Sequence, residues 1–313
     1  MLEGKRILVT GGAGFIGSHL AERLSGSNEV VIFDDMSAGR KSNLAGFEDR
    51  VRLYEADIGD EEVLREALAG VNLVFHCAAQ VSVEKSVEDP LGTAQTNVGG
   101  TLRVLWESKN AGVERVVFPS SAAVYGSSPE IPKREDMEPD ADSPYAATKI
   151  VGEHFCEMFD KVYDLPTVTL RCFNVYGPRQ DEQSPYASVI PRFIVALMDG
   201  KSPRIFGDGE QTRDFIFIDD VVEAFILAAS SETARGAILN IASGRSMSIL
   251  ELFRTLSGIL DVDVEPVFEA ERPGDVKHSL ADISRAEEKL GFSPAIDPVE
   301  GLRRTVGYFK SLR

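Results

Sequence analysis

Arg6-Ile7-Leu8-Val9-Thr10-Gly11-Gly12-Ala13-Gly14-Phe15-Ile16-Gly17 decides the fold: it reads as an apolar strand, a glycine-rich turn and the opening of an amphipathic helix. In that context backbone N–H groups can approach a pyrophosphate at the positive end of the helix. Gly11, Gly14 and Gly17 occupy the turn, with Phe15 and Ile16 between the last two. The spacing is G-x-x-G-x-x-G, distinct from the G-x-G-x-x-G of many dinucleotide sites. A tight strand-to-helix turn without a ligand is the competing reading. Asp34, seventeen residues after Gly17, ends the next apolar run, where an acid can accept hydrogen bonds from adenosine ribose hydroxyls. A carboxylate there repels a 2'-phosphate, so NAD is expected over NADP. Arg40 and Lys41 lie close enough to weaken that preference, and Asp35 and Ser37 belong to the same expected site.

Outward from this turn, strand-length apolar runs at 6–10, 29–34, 51–55, 73–77, 115–120 and 167–171 alternate with helical periods at 15–24, 61–68, 90–110 and 144–162. Such alternation is the sequence form of βαβ units in a parallel sheet. The expected class is α/β: a doubly wound parallel Rossmann sheet with ligands beyond the carboxyl ends of its strands. After Arg171 the chain turns to loops rich in Pro, Gly and charge, with shorter elements at 190–198, 237–241 and 249–260. The expected division is a sheet domain over 1–171, rejoined by 215–235, and a smaller C-terminal substrate lobe over 172–214 and 236–313.

At 313 residues and 43% hydrophobic composition the chain can bury a full core. A formal charge of -17 argues against a nucleic-acid backbone binder, which needs a basic face. Cys77, Cys156 and Cys172 are scattered and odd in number, and His19, His76, His154 and His278 do not cluster, so neither a disulfide framework nor a metal site is expected. No apolar run reaches the ~20 residues of a membrane span, and no signal peptide is recognised. A cytoplasmic location is expected.

Chemistry enters at Ser143-Pro144-Tyr145-Ala146-Ala147-Thr148-Lys149. Helical positions four apart share a face, so the Tyr145 hydroxyl and Lys149 ammonium can lie side by side. A nearby cation stabilises phenolate and lowers the phenol pKa from ~10 toward the range of a usable base. Surface helices also carry Tyr and Lys at this spacing, so the pair alone is weak. Asp57-Ile58 ends the third strand at a place suited to adenine, and Cys77-Ala78-Ala79 ends the fourth with small residues that let a cofactor pass. Asn97 is read either as a helix-distorting residue near the nicotinamide or as a structural hydrogen-bond partner.

Taken in order, residues 10–17, Asp34, Asp57, 76–79, 119–126, Tyr145-x-x-x-Lys149, 171–178 and 207–214 resemble the extended short-chain dehydrogenase/reductase family, specifically its NAD-dependent nucleotide-sugar epimerases and dehydratases. The resemblance covers nearly the whole chain. It implies Tyr145 as catalytic base, Lys149 as its modulator and ribose ligand, and Ser121 as the hydroxyl on the reacting sugar oxygen. Phe173 joins the implied cofactor contacts. Ser82, Ser121, Asn174, Val189, Arg213, Arg272, Asp275 and Ser279 are the implied substrate contacts, although Arg213 and Arg272 also read as plain surface ion pairs.

Family dehydratases and decarboxylases carry an acid within two positions of the catalytic hydroxyl. Here those positions are Ala122 and Ala123, which favours epimerisation through a 4-keto sugar. The expected substrates are UDP-glucose and UDP-galactose. Ser279, if it lines the hexose pocket rather than a plain loop, is small enough to admit UDP-GlcNAc and UDP-GalNAc. UDP-glucuronate 4-epimerisation is the alternative, with Arg192 as candidate partner for the sugar carboxylate. A non-catalytic NAD-sensing protein is the alternative of another class. The resemblance also implies a homodimer formed by helices 90–110 and 144–162.

Overall fold

The computed structural model describes residues 2–181, 188–271 and 277–313. Seven parallel strands form the central sheet: β1 (Arg6–Thr10), β2 (Glu29–Asp34), β3 (Val51–Glu55), β4 (Leu73–His76), β5 (Arg115–Ser121), β6 (Thr167–Cys172) and β11 (Ile238–Ile241), in the order β11-β6-β5-β4-β1-β2-β3. The chain runs outward from β1 through β2 to β3, then restarts at β4 on the other side. That reversal opens a crevice at the carboxyl ends of β1 and β4, the usual ligand position in such sheets.

The strands are apolar on both faces because helices cover both. Ile7 and Val9 point into one core cluster and Leu8 into the other, all fully buried. The helices are α1 (Phe15–Leu24), α2 (Glu61–Leu68), α3 (Val83–Glu88), α4 (Pro90–Ala94), α5 (Thr101–Ala111), α6 (Pro144–Tyr163), α7 (Val189–Met198), α8 (Ile218–Ser230), α9 (Ile249–Leu260), α10 (Ser284–Leu290) and α11 (Pro298–Ser311). Their starts follow local chemistry. Asp60 caps α2, Ser143 caps α6 with Pro144 behind it, and Ser248 and Glu251 form a capping box on α9. Short strand pairs lie outside the main sheet: β7 (Asn174–Tyr176) with β10 (Phe215–Phe217), β8 (Arg204–Phe206) with β13 (Val267–Glu269), and β9 (Thr212–Arg213) with β12 (Met247–Ser248). Phe193 of α7 and Phe253 of α9 meet edge to face at 6.4 Å.

Two sequence expectations need correction. Residues 237–241, assigned to the second lobe, supply β11, which pairs with β6 inside the main sheet. A four-residue apolar run carries too little pattern to reveal which sheet it joins. Nor is 90–110 a uniform helix: Gln95–Gly100 forms a wider π turn between α4 and α5. Asn97 sits in that turn, where its side chain accepts from Gln80 N at 2.8 Å and donates to Gln80 O at 2.9 Å and Thr148 Oγ1 at 3.0 Å. Both readings of Asn97 thus meet in one place: the helix is distorted and the amide is a hydrogen-bond hub. Strand ends move by single residues, with β4 stopping at His76, β5 reaching Ser121 and β6 reaching Cys172.

Candidate active site

Two glycines make the cofactor turn possible. Gly11 has φ +64, and a Cβ there would meet Ala78 N at 2.6 Å; a Cβ on Gly17 would collide with the Gly11 carbonyl oxygen. Gly14 is the N-cap of α1, which has no side-chain cap and no acid in its first turn. The helix therefore presents uncapped backbone donors and a positive dipole end to the crevice. A pyrophosphate fits this cradle, since its oxygens would satisfy the donors that no side chain reaches. Phe15 and Ile16 follow in the same turn of helix, both half-buried.

Asp34 ends β2, buried, accepting from Ala13 N and Met36 N at 2.9 Å each. Burial raises its pKa against those hydrogen bonds. The carboxylate thus pins the glycine turn while one lone pair on each oxygen stays available for a ribose hydroxyl. Asp35 accepts from the backbone and hydroxyl of Ser37 at 2.9 and 2.6 Å. Arg40 pairs with Asp181 and Lys41 with Glu55, so both cations already have carboxylate partners. The conflict they posed for a cofactor lacking the 2'-phosphate is thereby reduced. Asp57 accepts from Gly59 N at 2.6 Å beside the buried Ile58. Beyond β4, Ala78 N donates to Thr10 Oγ1 at 3.2 Å, and the small Cys77, Ala78 and Ala79 leave the crevice open. Burial pushes the Cys77 thiol up to about 12, so it is a neutral packing group rather than a nucleophile.

The reaction centre is assembled by α6 lying on β5. Ser143 accepts from Ala146 N at 3.2 Å, and Tyr145 N donates to Ser86 Oγ of α3 at 3.1 Å. Tyr145 and Lys149 both face inward and are buried. The Ser121 hydroxyl lies close enough to the Tyr145 phenol to favour its ionised form. Ser121 Oγ also accepts from Ala123 N at 3.1 Å. Lys149 Nζ donates to Pro119 O at 2.8 Å and lies 5.9 Å from the Tyr145 ring centroid and 4.9 Å from that of Phe118. Phe173 packs against Tyr125 behind this group at 6.1 Å.

The electrostatics correct a further expectation. In the ligand-free chain the Tyr145 phenol is not lowered by its lysine. Burial pushes it up to about 12, with the Ser121 hydroxyl pulling the other way. Lys149 is pushed down by burial to about 8. Desolvation dominates both groups, and the Lys149 ammonium donates to the Pro119 carbonyl rather than to the phenol.

A cavity of about 320 Å³ is lined by Asn174, Val189, Arg192, Arg204 and Arg213, with Glu84 of α3 among its walls. Asn174 Nδ2 donates to Asp214 O at 3.0 Å and Arg213 Nη1 to Thr212 O at 2.9 Å. Ser82 caps α3 by accepting from Lys85 N at 3.0 Å and does not line this cavity. Ser279, half-buried, donates its backbone N–H to Thr212 O at 3.1 Å and is likewise outside the cavity wall. Arg272 and Asp275 lie outside the described residues. Sequence reading missed Gln80, Thr148, Glu84 and Pro119. Only Thr148 carried a signal, since it shares the helical run of Tyr145 and Lys149.

Residues 7–242 match the family model of the NAD dependent epimerase/dehydratase family. A UDP-glucose 4-epimerase of Mycolicibacterium smegmatis is 42% identical over 312 residues, covering 98% of this chain and 99% of that protein. The solved UDP-N-acetylglucosamine 4-epimerase from Methanobrevibacter ruminantium M1, in complex with UDP-N-acetylmuramic acid, superposes with TM-score 0.96 at 43% identity over the full length of both chains. UDP-glucuronic acid 4-epimerase from Bacillus cereus, in complex with UDP-glucuronic acid and NAD, gives TM-score 0.90 at 32% identity, covering 98% of this chain and 100% of that one. With the glycine cradle, the acid at the end of β2 and the Ser121–Tyr145–Lys149 group already in place, these matches establish that the chain belongs to the NAD dependent epimerase/dehydratase family.

Proposed function

We propose that the protein is a 4-epimerase of neutral UDP-hexoses, interconverting UDP-glucose with UDP-galactose and UDP-GlcNAc with UDP-GalNAc. One observation carries the reading. Tyr145, Ser121 and Lys149 are brought together where α6 lies on the carboxyl end of β5, and the residues after Ser121 are alanines rather than acids. Bound NAD supplies a reversible hydride acceptor, held by the Gly11–Gly17 turn, Asp34, Asp57 and the 77–79 edge. Ser121 hydrogen-bonds the sugar 4-oxygen, and Tyr145 Oη removes its proton and later returns it. Lys149 holds positive charge next to the phenolate so formed. Asn174 and Arg213 anchor the nucleotide while the 4-keto hexose turns over, so that the second face can be reduced. With Ala122 and Ala123 there is no neighbouring carboxyl to drive elimination. Incubating the purified protein with a panel of UDP-sugars and resolving products by NMR tests this; no C4 inversion on any neutral hexose would refute it.

UDP-glucuronate is the second reading, favoured by Arg192 in the cavity wall. Glu84 opposes it, because its carboxylate lines the same cavity and α3 reaches the reaction centre through the Ser86–Tyr145 contact. A repulsion of ~1.4 kcal/mol is enough for about tenfold discrimination, so UDP-glucuronate is placed below UDP-glucose. A purely NAD-sensing protein would need no Ser121–Tyr145 pair. The N-acetylglucosamine-epimerising relative supports acceptance of N-acetyl sugars, and we assign the small Ser279, outside the cavity wall but bonded to Thr212 beside the lining Arg213, to the N-acetyl side of the hexose. Ser279→Tyr is expected to lower kcat/KM for UDP-GlcNAc by about tenfold or more while leaving UDP-glucose nearly unchanged. Equal N-acetyl activity in the two proteins would refute that role.

We also propose a homodimer through α4, α5 and α6. Leu91, Leu102, Trp106 and Val162 are exposed large apolar side chains on these helices, and Trp106 contacts Tyr163 at 5.9 Å. A patch of this kind is costly on a monomer. Sedimentation should give a dimer for the wild type and a monomer for Leu91→Glu/Trp106→Glu; a monomeric wild type would refute the pairing. The three free thiols fit a reducing compartment, and the cytoplasm is the location assigned.

A further inference from the structure

Behind the reaction centre lies a buried charge network that the chemistry above does not use. Glu153, one turn beyond Lys149 on α6, meets Arg171 of β6 in a two-pronged pair, Nε to Oε1 at 2.9 Å and Nη2 to Oε2 at 2.7 Å. The two side chains are only 3% and 2% exposed. Ser120 Oγ of β5 donates to the same Oε1 at 2.5 Å. Ser120, Arg171 and Asn240 stand abreast on β5, β6 and β11. Arg171 also lies 4.8 Å from the Tyr125 ring, and Tyr125 Oη donates to Asn240 Oδ1 at 2.6 Å. One α6 carboxylate thus ties the helix directly to β5 and β6, and through Arg171 and Tyr125 to the row on β11.

Stability alone is a poor reason for this arrangement. Buried ion pairs are commonly matched or bettered by apolar residues of similar volume, and Arg171 Nη1 has no hydrogen-bond partner among the described residues. Geometry offers a better one. Tyr145, Lys149 and Glu153 follow at helical intervals of four, and each reads β5: Tyr145 at Ser121, Lys149 at Pro119 O, Glu153 at Ser120. Sliding α6 would break all three contacts together. Charge offers a second reason. The groups facing Lys149 are Tyr145 and Cys156 on its own helix, His76 and Cys77 at the end of β4, and Cys172 on β6. Burial holds the thiols near about 12 and His76 near about 3, so all are neutral at neutral pH. Among the described residues that act on Lys149, Glu153 is the remaining anion, one helical turn away and beyond ion-pair distance.

We propose that Glu153, clamped by Arg171, is a positioning residue for the reaction: it sets the register of α6 that brings Tyr145 to Ser121, and its carboxylate, one helical turn from Lys149 on the same buried face, adds negative charge on that side of the ammonium. This rests on the proposed epimerase reading, so wild-type turnover of a UDP-hexose is measured first. A variant indistinguishable from wild type then refutes this inference and leaves that reading standing.

The test separates reach from charge, using the NAD-loaded proteins. Glu153→Asp keeps the charge and shortens the side chain, so kcat is expected to fall about tenfold with KM and the pH profile little changed. Glu153→Gln keeps the reach and removes the charge. Activity needs Lys149 protonated and is lost as pH rises through its pKa, which burial pushes down to about 8. Removing the anion lowers that pKa, so the alkaline limb of kcat should move measurably acidward. If Glu153→Gln does not fold with Arg171 left unpaired, Glu153→Gln/Arg171→Gln removes both charges and should show the same movement. Wild-type kcat in Glu153→Asp would overturn the register role, and an unmoved alkaline limb in the charge-removed variant would overturn the electrostatic one.

Discussion

Tyr145→Phe is expected to lower kcat by about 10³-fold or more, since general acid–base catalysis contributes ~10²–10⁴ and this hydroxyl serves in both directions of proton transfer. That corresponds to roughly 4 kcal/mol of transition-state stabilisation. NAD content should survive, because the cradle at Gly11, Gly14 and Gly17 is built by β1 and α1, away from the phenol. Thermal stability should move by only about 1 kcal/mol, the worth of one buried polar contact, here that of Ser121 with Tyr145. Measuring kcat on a UDP-hexose, bound NAD and Tm on one preparation checks all three. Near-normal turnover would remove Tyr145 from the mechanism. Lost turnover with lost NAD would instead mean that the fold of α6 had failed.

The second large effect is expected at Gly17→Ala. The added Cβ points into the Gly11 carbonyl oxygen, with Gly12 Cα also within 2.9 Å, and neither is a flexible side-chain end. Relief requires α1 to lift off the turn, which spoils the array of N–H groups facing the crevice. The purified variant should carry little or no NAD and be destabilised by about 1–3 kcal/mol, the range for overpacked sites. Gly307→Ala is the control. It lies on α11 with open space around its Cβ position, so it should be neutral or stabilised by up to about 1 kcal/mol, as for an exposed helix position. Full NAD occupancy in Gly17→Ala would show that the cradle tolerates a displacement the structure forbids.

Most of the site's ingredients were legible because each sits in a short local pattern. The strand–glycine–helix run, the acid ending β2 and the Tyr145-x-x-x-Lys149 interval are set within a few residues of chain. Glu153 was also within reach: it continues the same four-residue interval by one turn. Its partner carried a signal too, since Arg171 stands in the otherwise apolar or small run 167–172, and a charge in a buried strand needs a counter-charge. The π turn at Asn97 was half legible, as a polar residue before two glycines in a helical period. The seventh strand was not. Ile238–Ile241 is placed by its pairing with β6, a contact between segments some 70 residues apart that no local period records.

Read on its own, the chain yields the βαβ grammar and the roster of candidate groups, because side-chain periodicity and turn chemistry are properties of neighbouring residues. The state of those groups needed the folded molecule. Tyr145 is held near about 12 and Lys149 near about 8 by the low-dielectric surroundings that β4, β5, β6 and α6 create jointly. The anion facing Lys149 is likewise identified only after the neighbouring thiols and His76 are seen to be buried and neutral. Desolvation depends on everything packed around a group, and that packing is set by contacts between residues far apart in sequence.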